Sequence, residues 1–294
     1  MRFEAFNINR ENKKAPDALK TEEERKIDSI LEYLKEYYSK LRKEGLPVLD
    51  DGRIDSKEFI IKKVYNENVV NRDNELIERW RSRWDKEQKG KGVMRDGEKL
   101  EILKSAIFQK FVGDKYYVFR SSLYDDVINK VDNIIIDRET GNIVCAFDEV
   151  ADIEGPRFQQ KQQQILERNL NYGGGKLKYG IEIKNVNDKK EIGLGEVKNI
   201  PLFYIALPKN SLNEGIDSFI PSSFDSGNIS DFEKKFFEYV VNSLKAQISA
   251  LELREVEIRR YPDILKKRIK DFKKTLDVWE ELIKKKRIDK KTKI

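Results

Sequence analysis

The sequence predicts an α/β protein whose core runs helix, three-strand meander, helix, strand, set between an N-terminal helical region and a C-terminal helical hairpin. Three observations carry this expectation. Apolar residues recur at helical steps before residue 95 and again after Ser230, β-rich runs crowd between those limits, and a turn-forming stretch joins two of the runs. At 294 residues the chain is long enough for one sizeable core with appendages. The divisions suggested are 1–95, an N-terminal helical region; 96–229, the α/β core; and 230–294, a basic helical hairpin or coiled-coil arm.

In order along the chain, Thr21 with Glu24 forms a capping box, and Ile27, Leu31, Leu34, Tyr38 and Leu41 follow on one helical face until Gly45 and Pro47 stop it. A second helix is expected from Asp55, carrying Ile61 and Val64. A third carries Leu76, Trp80 and Trp84 and ends near Gly90. The run RWRSRW (79–84) mixes bases with aromatics as nucleic-acid surfaces do, but tryptophans at helical spacing are expected to be buried. Residues 97–112 predict a helix with Leu100, Leu103, Ile107 and Phe111 on one face. Strands follow at KYYVFRS (115–121), VDNIIID (131–137) and NIVCAFDEV (142–150). The last two are joined by DRETGN, where Gly141 can take positive φ, so they read as a hairpin. A polar helix is expected over 157–170, a break at the glycines 173–175, and strands at 176–184 and 201–207. From Ser230 onward Phe237, Val241, Leu244, Ile248 and Leu251 make one seam. After Pro262, Leu265, Ile269, Phe272, Leu276, Trp279 and Ile283 make another.

Composition narrows the chemistry. There are no histidines and one cysteine, Cys145, which excludes imidazole bases, Ser-His-Asp or Cys-His nucleophiles and the usual zinc sites. Carboxylates, Lys/Arg, Tyr or hydroxyls remain, working around a hard cation such as Mg²⁺. A single cysteine in an apolar run fits a reducing cytoplasm, the N-terminus lacks the apolar stretch of a secretory signal, and no run is long enough to span a membrane. Charge is uneven: residues 251–294 hold 16 Lys/Arg against 9 Asp/Glu, while residues 120–155 hold 9 acids against 3 bases. An acidic centre with a basic helical tail suits a phosphate-rich partner, and a solvated lysine-rich helix is the plainer account of the same numbers.

The acids fall where chemistry needs them. Asp132 stands among the apolar residues of the second strand, and Asp148 and Glu149 end the third. The hairpin places Asp132 nearly opposite residues 146–148, with carboxylates roughly 5–8 Å apart. Crowded carboxylates on apolar strands repel one another and lose hydration unless a cation compensates. The alternatives are weaker. Lys176 follows three glycines without the upstream glycine of a phosphate loop. Tyr116, Tyr117 and Tyr124 read as packing, Asp125 and Asp126 as a turn cap, and Arg120 with Ser121 and Ser122 as an exposed strand end.

With an Asp on the second strand and an acidic tripeptide ending the third, residues 97–184 resemble the PD-(D/E)XK nuclease superfamily. The resemblance matches Asp132 to the motif's single Asp and Asp148-Glu149-Val150 to (D/E)-X-K, so Val150 stands where the lysine is expected. Arg157 or Lys161 on the next helix are candidates to replace it, and Glu98 or Glu101 for the acid on the first helix. Gln159, Gln160, Gln163 and Gln164 match a glutamine-rich helix of some branches. The resemblance implies a nuclease-like core and a Mg²⁺- (or Mn²⁺-) dependent endonuclease or exonuclease that hydrolyses phosphodiesters. Asp132, Asp148 and Glu149 would hold the metal, and Lys161 would complete the catalytic set. It implies nucleic acid as partner, DNA ahead of RNA, with a homodimer through the C-terminal helices as a further expectation. The other expectation, argued from Val150, is a catalytically degenerate relative that binds nucleic acid or serves as a scaffold, with Lys284–Lys293 carrying the affinity.

Overall fold

The computed structural model describes residues 20–87, 94–151, 153, 156–186, 189–221, 228–254 and 262–288. Helix α1 (Glu22–Lys43) begins at the capping box: Glu24 N–H donates to Thr21 Oγ1 at 3.2 Å, and Thr21 N–H to Glu24 Oε2 at 2.7 Å. It ends before Gly45, which takes φ +90°. Helix α2 (Lys57–Ile61) is a single turn, because Lys63 adopts φ +57° and breaks the longer helix that Ile61 and Val64 suggested. Helix α3 (Glu67–Glu87) packs through Val70, Asp73 and Ile77, and no residue from Glu78 to Arg83 is buried. Trp80 is therefore 40% exposed, against expectation, with the Arg83 guanidinium 5.6 Å from its ring centre. The side chain of Trp84 lies outside the described residues.

The core follows as α4 (Asp96–Val112), β1 (Tyr116–Arg120), α5 (Leu123–Val127), β2 (Asn133–Asp137), β3 (Ile143–Val150) and α6 (Pro156–Asn171). The chain continues with β4 (Gly175–Val186), β5 (Lys189–Ile200), β6 (Leu202–Ala206), α7 (Lys209–Ser218), α8 (Asp231–Arg254) and α9 (Asp263–Ile288). One sheet has the order β1-β2-β3-β6, antiparallel through its first three strands and parallel between β3 and β6. The strand at 176–184 does not follow α6 into this sheet. It pairs instead with β5, which the sequence did not suggest, as a separate ribbon. The side chains explain the exchange. β4 buries Leu177, Tyr179, Ile181 and Ile183 on alternate positions, which suits a ribbon with one wet face. In β6, Leu202, Phe203, Ile205 and Ala206 are all buried, as a parallel strand covered on both faces requires.

Two layers cover the sheet. Phe147 and its register partner Phe203 face α4 and α9, with ring centres 5.6 Å from Phe108 and 5.0 Å from Phe272. The neighbouring pair Asp148 and Tyr204 faces α6, where Gln162 Nε2 donates to the Tyr204 hydroxyl at 2.7 Å. Between β2 and β3, Gly141 takes φ +72°, and a Cβ there would lie 2.0 Å from the Ile183 carbonyl oxygen of the ribbon.

Every residue of the two C-terminal seams is buried within the chain. Ion pairs of Lys245 with Asp277 and Glu280, and of Lys273 with Glu252, set α8 and α9 antiparallel. Trp279 reaches the core rings of Phe108, Tyr116 and Phe237. The hairpin is thus a wall of the core, and its seams are covered inside one copy rather than offered to a second. Residues 289–294 of the basic tail lie outside the described residues. Among the described residues no helix is long and apolar enough to cross a membrane.

Candidate functional site

The acids meet at one end of the sheet. Asp132 precedes β2: its N–H donates to the Phe147 carbonyl at 2.8 Å, and its carbonyl accepts from Ser121 N–H at 2.9 Å. Because Asn133 pairs with Phe147, the next rung sets Asp132 opposite Asp148, at a Cβ separation of about 5 Å. Asp132 Oδ2 also accepts from the Glu149 N–H at 2.8 Å. The buried Asp148 carboxylate receives the Lys161 ammonium from α6. Helix α6 turns Ile165, one turn after Lys161, into the core, and this anchors the lysine beside the sheet.

Glu149 points to the other side, toward α4. Its Oε1 receives the Lys104 ammonium and, at 3.3 Å, Asn133 Nδ2. The side chains of Lys104 and Glu149 are only 1% and 2% exposed, and Glu149 Oε2 has no hydrogen-bond partner. Asn133 Nδ2 also lies 3.3 Å from Glu101 Oε1, and Ser105 Oγ lies 3.1 Å from Asn133 Oδ1. Glu101 takes the Arg120 guanidinium on both oxygens, each at 2.5 Å, in a buried fork. Four acids and the cations Lys104, Arg120, Lys161 and Arg168 are packed into one end of the sheet.

Burial drives the electrostatics. Asp132 is pushed well above the ordinary carboxylate range by loss of solvent, and the charges of Glu149 and Asp148 push it further. Burial also raises Asp148, and Lys161 only partly opposes it. For Glu149 burial pulls upward, but Lys104, with Asp132 and Arg120, outweighs it and the group lies below its ordinary value. The arrangement this favours is a proton on Asp132 beside an ionised Glu149. Burial likewise lowers Arg168, against the attraction of Asp148 and Asp132.

The remaining sequence candidates sort by position. Glu101 is at the cluster and Glu98 is exposed in the first turn of α4. Arg157, Gln159, Gln160, Gln163 and Gln164 are exposed on α6. Arg120 is buried on Glu101 rather than exposed, because β1 is covered on both faces. Ser122 caps α5, and Asp125 is buried as the acceptor for the backbone N–H groups of Lys178 and Tyr179, tying α5 to the ribbon. Asp126 pairs with Arg53 at 2.8 Å. Tyr116, Tyr117 and Cys145 are buried. Sequence reasoning missed Lys104, Asn133 and Arg168. A signal for the first existed: α4 is buried on all sides from Lys99 to Gln109, so Glu101, Lys104 and Ser105 inside it needed partners.

Among the described residues no three His, Cys, Asp or Glu side chains stand in a geometry ready to hold a metal ion. The donor set nonetheless suits a hard cation. It consists of oxygens alone, Glu149 Oε2 is buried without a partner, and the Asp132 anion is opposed by two neighbouring acids. One or two carboxylates with water and phosphate oxygens are a sufficient shell for Mg²⁺. No protein-family model, no curated protein and no solved structure matches the chain. Fold and site together define a mixed α/β protein with a small mixed sheet whose strand ends hold a buried cluster of acids and bases.

Proposed function

We propose that the chain is a metal-dependent phosphodiesterase acting on nucleic acid, DNA ahead of RNA, with a core of the PD-(D/E)XK kind. The observation that carries this reading is Lys161: its ammonium reaches Asp148 from α6, on the face where Val150 leaves the motif without its lysine. The element order supports it as well, since α4 precedes three antiparallel strands, with the short α5 between the first two, and α6 is followed, after the β4–β5 ribbon, by a strand parallel with the third.

In this reading Asp132 and Asp148 would hold a Mg²⁺ or Mn²⁺ ion, with Glu149, whose Oε2 is buried without a partner, as a further candidate ligand. When bound, the ion supplies a water of lowered pKa and neutralises charge at the phosphorus. To serve as a ligand Asp132 would be ionised, its proton passing to solvent. Lys161, released from Asp148, orients the attacking water or holds the developing charge on a phosphate oxygen. Lys104 stays on Glu149 and keeps that carboxylate ionised and fixed.

The test is turnover of labelled single- and double-stranded DNA and RNA with Mg²⁺ or Mn²⁺, beside EDTA, Asp132→Asn, Asp148→Asn and Lys161→Met. Metal-dependent cleavage lost in all three variants is expected; cleavage that persists in Asp132→Asn would refute the site. The second reading is a degenerate core that binds without turnover. It is favoured by the lysines already neutralising Asp148 and Glu149, and it predicts salt-sensitive binding with no cleavage under any metal.

A further inference from the structure

We propose that α6 is the rail on which a single polynucleotide strand lies, with an unpaired base stacked on Tyr172. The inference rests on the phosphodiesterase reading only for the position of the acids. Arg157, Lys161, Gln164 and Arg168 recur along α6 at steps of four, three and four, and Tyr172 follows the helix four residues later. At a rise of 1.5 Å per residue these five side chains form one stripe about 22 Å long. None of the five is acidic, and the stripe flanks the acid cluster. Lys161 sits on Asp148, and seven residues on, Arg168 donates to the Lys130 carbonyl at 3.1 Å while its charge acts on both Asp148 and Asp132. A phosphate held at the acid pair would therefore meet a cation from α6 on either side.

Tyr172 is 77% exposed where the chain leaves α6. Gly173 and Gly174, at φ +73° and +90°, then fold the backbone sharply toward β4. An added Cβ on Gly174 would meet the Ile200 carbonyl oxygen at 2.4 Å, so the close turn is built into the ribbon and leaves the ring outside it. An exposed aromatic face in line with a basic row is the arrangement that binds single strands, where every base offers a π-face. Bases inside a duplex keep their faces covered by their neighbours, and one row of cations on a convex helix tracks one backbone rather than two.

The test is fluorescence anisotropy of the full chain with labelled oligothymidylate, oligouridylate and a DNA duplex, in EDTA so that no cleavage intervenes. Variants are Tyr172→Ala, Tyr172→Phe and Arg157→Gln, all at exposed positions. Tyr172→Ala should weaken single-strand binding about tenfold, since stacking contributes about 1–3 kcal/mol per base. Tyr172→Phe should restore the affinity, and Arg157→Gln should lower the salt slope by about 0.7. Wild-type affinity in Tyr172→Ala, or a duplex bound as tightly as a single strand, overturns the rail. If Mg²⁺-dependent cleavage is present and lost in Asp132→Asn while Tyr172→Ala binds normally, the rail fails and the phosphodiesterase reading stands. If no cleavage occurs but binding follows Tyr172 and Arg157, the phosphodiesterase reading fails and the rail stands.

Discussion

Two lysines hold two carboxylates of the cluster, and replacing each by methionine should give losses of unequal size. Lys104 and Glu149 are 1% and 2% exposed, so Lys104→Met strands a charge with almost no access to water. Removing one partner of such a pair costs about 3–5 kcal/mol. Glu149 escapes part of this by taking up a proton, at about 1.4 kcal/mol per unit of pKa. Asp132 beside it already resists ionisation, so two neighbouring carboxylates would then both favour their protonated forms. Asp148 is itself only 7% exposed, but the Lys161 side chain is 24% exposed and the Arg168 charge also acts on Asp148. Lys161→Met therefore opens a path to water and leaves a cation nearby, for a smaller loss of about 1–2 kcal/mol. At about 2–4 °C per kcal/mol, Lys104→Met should lower the Tm by about 6–20 °C and Lys161→Met by about 2–8 °C. The double variant Lys104→Met/Glu149→Gln should recover most of the loss, because that pair then leaves no unpaired charge buried. Thermal melts followed by circular dichroism at pH 7, with turnover measured on the same samples, separate the two lysines. The reasoning fails if Lys161→Met melts as early as Lys104→Met, or if the double variant is no better than the single one.

Three further outcomes follow from the geometry. Asp132 has a folded pKa above its unfolded value, so its contribution to stability is full in acid and is lost as pH rises through the folded value. Asp132→Asn, whose amide oxygen can still accept from Glu149 N–H, should therefore match wild type at low pH and melt higher at pH 7; a lower Tm at pH 7 would count against the protonated state. Mg²⁺ at ten times its Kd should stabilise the protein by about 1.4 kcal/mol, a rise of about 3–5 °C that EDTA reverses. An equal rise in Asp132→Asn/Asp148→Asn would place the ion elsewhere. Gly141→Ala combines φ +72° with a Cβ 2.0 Å from the Ile183 carbonyl oxygen, and should cost more than about 1 kcal/mol. An unchanged urea midpoint would contradict the close approach of turn and ribbon.

The sequence made much of the framework legible wherever one periodicity ran unopposed. The seams of α8 and α9 and the capping box of α1 could be read residue by residue, because each depends on local spacing. The fourth strand of the sheet could not. β4 and β6 are both apolar enough to join it, and the choice turns on whether one face or two will be covered, a fact of tertiary packing. Trp80 failed for a related reason: its spacing is helical, but among the described residues the packed face of α3 ends at Ile77. At the site, the acids stood out because charges on apolar strands are conspicuous. Arg168 did not, because an arginine on a polar helix carries no local sign that strand ends lie beneath it. Asn133 is equally silent, since one amide serving two carboxylates depends on α4 and β3 meeting across β2.

The ribbon inserted between α6 and β6 also bears on the order in which the chain assembles. β6 must find β3 across a long stretch of chain, since Leu202 pairs with Ala146, and parallel pairing of this kind is slow to form. β4 and β5 make a hairpin from neighbouring sequence, closing Gly175 onto Ile200 just before β6 begins. Once formed, it shortens the loop that β6 must close, lowering the entropic barrier by about 0.5 kcal/mol, and delivers the strand already extended. The acid cluster completes only when β3 is held by β6 and α6 lies over both, so Lys161 reaches Asp148 among the last contacts made. An early kinetic phase in refolding would then belong to the ribbon, and the late one to the site.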